Sequence, residues 1–218
     1  ESPTQKYIFT QGPLESTASH FWLLVWQRKC PGIIMLNKII ENYTLKCHPY
    51  FPEKIGEVKQ FNDANLSVEC LHLIAEDNYV HRIIQITDLI TLTQRRVDHF
   101  NFTEWPDFDA PKKPDEFLDF LKAVWLTGCI EEGGLPSIVH CSAGIGRSGT
   151  FALIDLTLKL IQKKNSLSGI DVQKIVKDLR GCRPGVIQST EQLKFCYIAI
   201  IAGAKRLGLG REQSNNHA

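Results

Sequence analysis

One stretch limits what this chain can fold into more than any other. Ile138-Val139-His140-Cys141-Ser142-Ala143-Gly144-Ile145-Gly146-Arg147-Ser148-Gly149-Thr150 passes from a short apolar run, through a cysteine and a glycine-rich turn, into a long apolar segment. Ser137 to Val139 predicts a buried strand, and Arg147 to Lys163, apolar on most faces, predicts a helix in the middle of a domain. The turn therefore sits at a helix N-terminus. Unpaired backbone N–H groups and the positive end of the helix dipole attract an anion there. Gly144 and Gly146 let the backbone curl so that several N–H groups of Ser142 to Arg147 converge. Phosphate fits such a cradle, and Arg147, six residues after Cys141, can close over it with a planar fork of donors that lysine lacks.

A thiol at that place is held as the thiolate, because the helix end and the guanidinium both favour the charged form. Cys141 is thus a nucleophile at neutral pH. An isolated cysteine after a strand is more often simply buried. Here, however, His-Cys-x-x-Gly-x-x-Arg-Ser would arise by chance only about once in 10⁷ starting positions at ordinary residue frequencies. No Gly-x-x-x-x-Gly-Lys is present, so the loop is not a Walker-type cradle. His140 has no partners at metal-ligand spacing; its expected work is hydrogen bonding that supports the loop and the thiolate.

These residues resemble the signature loop of the cysteine-dependent protein tyrosine phosphatases, and the filling Ser142-Ala143-Gly144-Ile145-Gly146 resembles their classical, phosphotyrosine-specific branch. Tyr7-Ile8-Phe9-Thr10-Gln11-Gly12-Pro13, Phe21-Trp22, Trp26, Trp105-Pro106-Asp107-Phe108 and Gln188-Ser189-Thr190-Glu191-Gln192 are similar to family blocks in the family order. Leu45-Lys46-Cys47 and Gly203-Ala204-Lys205 resemble the non-receptor group of the T-cell and 1B types, so the resemblance covers residues 5 to 207.

Composition agrees with one globular domain. The chain has 218 residues, 43% hydrophobic and 22% charged, enough for a sizeable core but not for two domains. A net charge of +1 gives no general attraction for nucleic acid or a membrane surface, so attraction for an anionic substrate must be local. Seven cysteines, odd in number and without a Cys-x-x-Cys pair, favour reduced thiols in an intracellular, cytoplasmic protein. Neither a leader nor a run of about 18 apolar residues is found in the sequence, so a membrane-spanning segment is not expected.

In chain order, strands are expected at Lys6 to Gln11, Ile33 to Leu36, Gln60 to Glu76, Tyr79 to Ile90 and Arg95 to Thr103. A helix is expected from about Ser19 to Lys29, and another from an Asp115 N-cap to Thr127. Further helices fall near 147–164, 170–181 and 189–207. This order implies an α/β (α+β) fold, a central twisted mixed sheet flanked by helices. Residues 1–207 read as a single catalytic domain and 208–218 as a polar, disordered tail.

The resemblance implies hydrolysis of phosphotyrosine in proteins through a phosphocysteine, with no metal or organic cofactor and with tyrosine-phosphorylated proteins as partners. It implies a mobile lid at Trp105-Pro106-Asp107-Phe108, with Asp107 as general acid, Trp105 and Pro106 as a hinge and Pro111 at its far end. Gln188 would position the hydrolytic water and Gln192 would assist. Ser148 would hydrogen-bond the departing thiolate, and Glu41 would pair with Arg147. Lys46 matches a lysine near the lid and Tyr50 a pocket-region tyrosine. A nucleophilic, accessible thiolate is also redox-sensitive.

Two departures qualify the match. Family members carry an Asn-x-Tyr recognition loop ahead of the first matched block, and nothing corresponding follows Glu1, so the N-terminal part of the family domain is absent from this sequence. That leaves an alternative, a weakly active module that captures phosphotyrosine proteins; a dual-specificity phosphatase fits the tryptophan lid and glutamine block less well. In the lid, Asp109-Ala110 stands where Gly-Val is usual, placing a second carboxylate two residues from Asp107.

Overall fold

The computed structural model describes residues 5–106, 110–111 and 113–209. Seven of its strands form one sheet: β1 (Tyr7–Thr10), β2 (Gly32–Met35), β5 (Val58–Phe61), β6 (Leu66–Ala75), β7 (Tyr79–Asp88), β8 (Gln94–Phe102) and β9 (Ser137–His140). Their order is β1-β9-β2-β8-β7-β6-β5. β1, β9, β2 and β8 run parallel, with Tyr7 opposite Ser137, Ile33 opposite Ile138 and Gly32 opposite Asp98. From β8 outward the pairing is antiparallel through β7 and β6 to β5. Strands β3 (Ile40–Glu41) and β4 (Thr44–Leu45) form a separate small hairpin, turned at Asn42 and Tyr43 with φ of 47° and 61°.

Both faces of the sheet are covered, as its apolar parallel strands require. Ile33, Met35, Ile138 and Val97 point to one side, where α1 (Ala18–Gln27) buries Phe21, Trp22 and Val25. Ile34, Val139, Phe100 and Phe102 point to the other, against α2 (Pro114–Leu126), α3 (Gly146–Lys164), α4 (Val172–Cys182) and α5 (Thr190–Arg206). The expected buried central helix is α3, whose residues from Gly146 to Leu158 are all buried. The mixed sheet flanked by helices is thus the fold that the sequence predicts.

Two local expectations need correction. Gln60 to Glu76 is not one strand: a 3₁₀ turn at Asn62–Ala64 and a left-handed Asn65 at φ 51° break it, so β5 and β6 fold back on each other. Asp115 does not cap α2. Lys113 holds the N-cap position, with Pro114 opening the helix, and Asp115 lies in the first turn, where its carboxylate accepts from Arg206.

What this topology does for a site is set by strand direction. Four neighbouring parallel strands end at one edge of the sheet, and ligand crevices in such sheets form beyond the carboxyl ends. β9 runs into Cys141, β1 into Gln11 and Gly12, β2 into Leu36, and β8 toward Trp105 and Pro106.

Candidate active site

The cradle begins one residue past β9. Cys141 is 5% exposed, and its Sγ accepts the Gly144 N–H at 3.2 Å, so the loop curls back over the sulfur. Gly144 takes φ 72°, and a Cβ there would stand 1.9 Å from the Thr10 carbonyl oxygen; only glycine fits. The chain just past β1 also comes close at Gly12, whose N–H donates to the Ser142 carbonyl at 2.9 Å and whose own Cβ would meet the Cys141 carbonyl oxygen at 2.9 Å. Ser142 donates its hydroxyl to the Lys46 carbonyl at 3.0 Å. At the start of α3 the N-cap is Ile145, with no side-chain cap and no acidic residue in the first turn. The helix's first N–H groups are therefore available to an anion rather than to a cap.

Arg147 lies in that first turn, 8% exposed, and is held from several sides. Its Nη1 donates to Glu41 Oε1 at 2.6 Å and to the Leu36 carbonyl at 3.2 Å, while Nη2 donates to Glu41 Oε2 at 2.8 Å. Nη2 also reaches the carbonyl of Pro106 at 3.4 Å, which ties the arginine to the root of the Trp105–Pro106 segment. Trp105 is 4% exposed and packs edge-on against Phe102, Phe117 and Phe195. It anchors its segment in the core. Pro111 is buried. Asp107, Phe108 and Asp109 lie outside the described residues.

Behind the cradle lies a buried chain of hydrogen bonds. His140 Nδ1 is 3.1 Å from the Cys141 carbonyl, which can only accept, so Nδ1 carries the proton. Its Nε2 accepts the Tyr50 hydroxyl at 2.7 Å, and the Tyr50 oxygen accepts from His99 Nε2 at 2.9 Å. Burial pushes His140 down to about 4, and burial with the Arg82 guanidinium takes His99 well below the ordinary histidine range. Both rings are neutral at physiological pH, which keeps His140 as the donor that steadies the Cys141 backbone. Tyr50, expected near the pocket, is instead fully buried behind the loop. It was misplaced because a tyrosine with a buried hydroxyl partner has no distinct sequence pattern.

The glutamines lie on the far side of α3's first turn. A Cβ on Gly146 would meet Gln188 Oε1 at 2.7 Å and Gln192 Nε2 at 2.9 Å, so both side chains rest against the cradle. Gln192 accepts the Gln188 N–H at 2.9 Å, while the Ser189 hydroxyl caps α5 by accepting the Gln192 N–H at 3.1 Å. Ser148 is fully buried and its hydroxyl has no hydrogen-bond partner among the described residues, so its expected bond to the sulfur is not formed here. Lys46 stands at the cradle rim through its backbone carbonyl.

The sequence reading missed two arginines. Arg183 donates from Nε to the Gly144 carbonyl at 2.9 Å and from Nη2 to the Ala143 carbonyl at 3.3 Å. Arg180 donates from Nε and Nη2 to the Val186 and Ile187 carbonyls, both at 3.0 Å. Among the described residues, no group of three or more His, Cys, Asp and Glu side chains is arranged to hold a metal ion, and no helix is long and apolar enough to cross a membrane. All seven cysteines are free thiols.

A family model described as protein-tyrosine phosphatase matches residues 1–202. The tyrosine-protein phosphatase non-receptor type 61F of Drosophila melanogaster is 45% identical over 209 residues, covering 95% of this chain and 38% of that protein. The non-receptor type 2 phosphatase of Mus musculus is 41% identical over 205 residues, 94% of this chain and 50% of that protein. The non-receptor type 13 phosphatase of Homo sapiens is 35% identical over 207 residues, 95% of this chain and 8% of that protein. The chain spans half or less of the length of these relatives.

Proposed function

This chain belongs to the protein-tyrosine phosphatase family, and on that premise we propose that it hydrolyses phosphotyrosine in proteins through a phosphocysteine at Cys141. The observation that carries this reading is the convergence on one uncapped helix end of a cysteine sulfur that accepts a backbone N–H and an arginine fixed by a carboxylate.

In the first half-reaction the Cys141 thiolate attacks phosphorus and the bond to the tyrosine oxygen breaks. The N–H groups of Ser142 to Arg147 and the Arg147 fork hold the equatorial oxygens, where charge is spread in the transition state. Asp107 gives its proton to the leaving phenolate oxygen. In the second, a water positioned by Gln188 and Gln192 attacks phosphorus, the sulfur–phosphorus bond breaks, and Asp107 as carboxylate takes the water's proton. Ser148, close in sequence to Arg147, supplies a hydroxyl for the sulfur that departs. His140 and Glu41 hold the cradle and the fork in place, while Trp105, Phe108 and Lys46 support the lid and rim. Residues 1–207 form the catalytic unit in this reading. An intracellular, reducing compartment fits it, since Cys141 works only as a free thiol.

Turnover of matched phosphotyrosine and phosphoserine peptides tests the proposal. Phosphotyrosine should be hydrolysed and phosphoserine left intact. Cys141→Ser should abolish turnover while phosphopeptide binding persists, and Asp107→Ala should lower it about 10²–10⁴-fold. Activity retained in Cys141→Ser would refute the mechanism.

A further inference from the structure

Two arginines at the end of α4, Arg180 in its last turn and Arg183 at its C-cap, each donate to backbone carbonyls. Each fork takes two consecutive carbonyls. Arg183 takes those of Ala143 and Gly144, inside the cradle, and Arg180 takes those of Val186 and Ile187, immediately before Gln188.

Both segments need such a hold. A cradle with its N–H groups turned inward must turn its carbonyls outward, and at Gly144 the backbone has the freedom to flip. A flipped peptide would replace a donor with an oxygen facing the phosphate. Arg183 pins the outward carbonyls and so fixes the inward amides. In the second segment Ile187 has φ 61°, a left-handed conformation that is strained for a β-branched residue. Its N–H donates to the Ile145 carbonyl at 3.1 Å, and its carbonyl is held by Arg180. Ile187 is thus gripped on both sides, and the direction in which the chain leaves it sets where Gln188 stands.

We propose that the C-terminal end of α4 braces the two half-reactions separately: Arg183, at its C-cap, is the positioning residue for formation of the phosphocysteine, and Arg180, in its last turn, is the positioning residue for its hydrolysis. The proposal rests on the phosphatase reading of the site. Each arginine acts through backbone: Arg183 through the amides of Gly144 and Ile145, which share peptide planes with the carbonyls it holds, and Arg180 through Ile187 on Gln188.

Rapid-quench kinetics with p-nitrophenyl phosphate separates the two steps, since release of nitrophenol reports phosphorylation of Cys141 and the steady state includes its hydrolysis. In Arg180→Met, kcat should fall tenfold or more, within the roughly 10²-fold that a misplacement of about 1 Å costs. KM should fall with it, kcat/KM should stay within about twofold of wild type, and the burst should approach one nitrophenol per chain, because kcat/KM ends at phosphorylation. In Arg183→Met, kcat/KM should fall about tenfold or more, the burst should disappear, and inhibition by vanadate should weaken. Arg180→Lys and Arg183→Lys, each keeping a single donor nitrogen in place of the fork, should lie between wild type and the methionine variants, and they carry the test if a methionine variant does not fold. If both positions lower kcat and kcat/KM by a common factor, or leave both unchanged, the separate bracing is refuted. A wild-type enzyme that turns over without forming any phosphocysteine would overturn the parent reading instead, and the arginine variants do not bear on that outcome.

Discussion

Glu41 receives both terminal nitrogens of Arg147, at 2.6 and 2.8 Å, with each side chain about nine-tenths buried. Glu41 stands at the end of a two-residue strand, and the turn at Asn42 and Tyr43 leads the chain back along it. The pair aims the guanidinium across the cradle mouth. Removing one partner of a buried ion pair leaves the other charge uncompensated, so Glu41→Ala should destabilise the protein by about 3–5 kcal/mol. It should also lower kcat/KM by about 10²-fold through misplacement of the fork. Glu41→Gln keeps an acceptor and should lose less of both. Denaturant melts and steady-state kinetics check this; an Ala variant as stable and active as wild type would show that Leu36 and Pro106 suffice to hold Arg147.

Gly144→Ala tests the cradle's backbone. Its φ of 72° and the 1.9 Å approach of a Cβ to the Thr10 carbonyl oxygen mean that β1 or the loop must move. Vanadate binding and turnover should both fall by about 10²-fold. The sharper readout is the contact with the segment after β1: amide exchange at Gly12, whose N–H bonds the Ser142 carbonyl, should speed up in the variant. Unaltered exchange with lost activity would place the defect elsewhere.

The Tyr50–His140 pair gives the fold a pH dependence of definite sign. Native His140 titrates near 4, against 6.5 for an unhindered histidine, so between those values only the unfolded chain binds the proton. Stability is therefore full above about pH 6.5 and declines as pH falls toward 4, by on the order of 3 kcal/mol for this residue. His99, pushed down further, extends the decline. Chemical denaturation from pH 8 to 4.5 should show a shallower slope in His140→Gln than in wild type. Parallel slopes would mean that His140 is not buried as a neutral ring.

Thiol chemistry should discriminate among the seven cysteines. Burial pushes Cys30 and Cys47 up to about 11 and Cys129 and Cys196 up to about 12, and it also raises Cys70, so these five are inert thiols at neutral pH. Iodoacetate should modify Cys141 and the exposed Cys182, with vanadate protecting Cys141 alone. Peroxide should inactivate through a sulfenic acid at Cys141 that a thiol reverses. Peptide mapping that finds Cys30 or Cys129 modified first would contradict an activated Cys141.

Much of this was legible in the residues. The strand before Cys141 and helix α3 follow from an apolar run, two glycines and an apolar stretch too long for a strand. Other features left little trace. The β3–β4 hairpin has two-residue strands, with Ile40 and Leu45 largely exposed, so no alternation marks it. The break between β5 and β6 depends on a left-handed Asn65, a conformation asparagine tolerates but does not announce. Asp115 had the right residue type for a cap, yet Pro114 opens the helix two residues earlier than such a cap would, with Lys113 as N-cap. Arg180 and Arg183 escaped notice because their partners are backbone carbonyls, which have no residue identity to match.

The central claim is a covalent bond between phosphorus and Cys141, and it can be measured directly. Protein mixed with an aryl phosphate and quenched in acid within the first turnovers should carry one phosphoryl group per chain, mapped by mass spectrometry to the peptide containing Cys141. Gln188→Ala should increase the trapped fraction by slowing hydrolysis, and Cys141→Ser should trap none. Turnover with no phosphoryl group on Cys141, or with the group on another residue, would contradict the account.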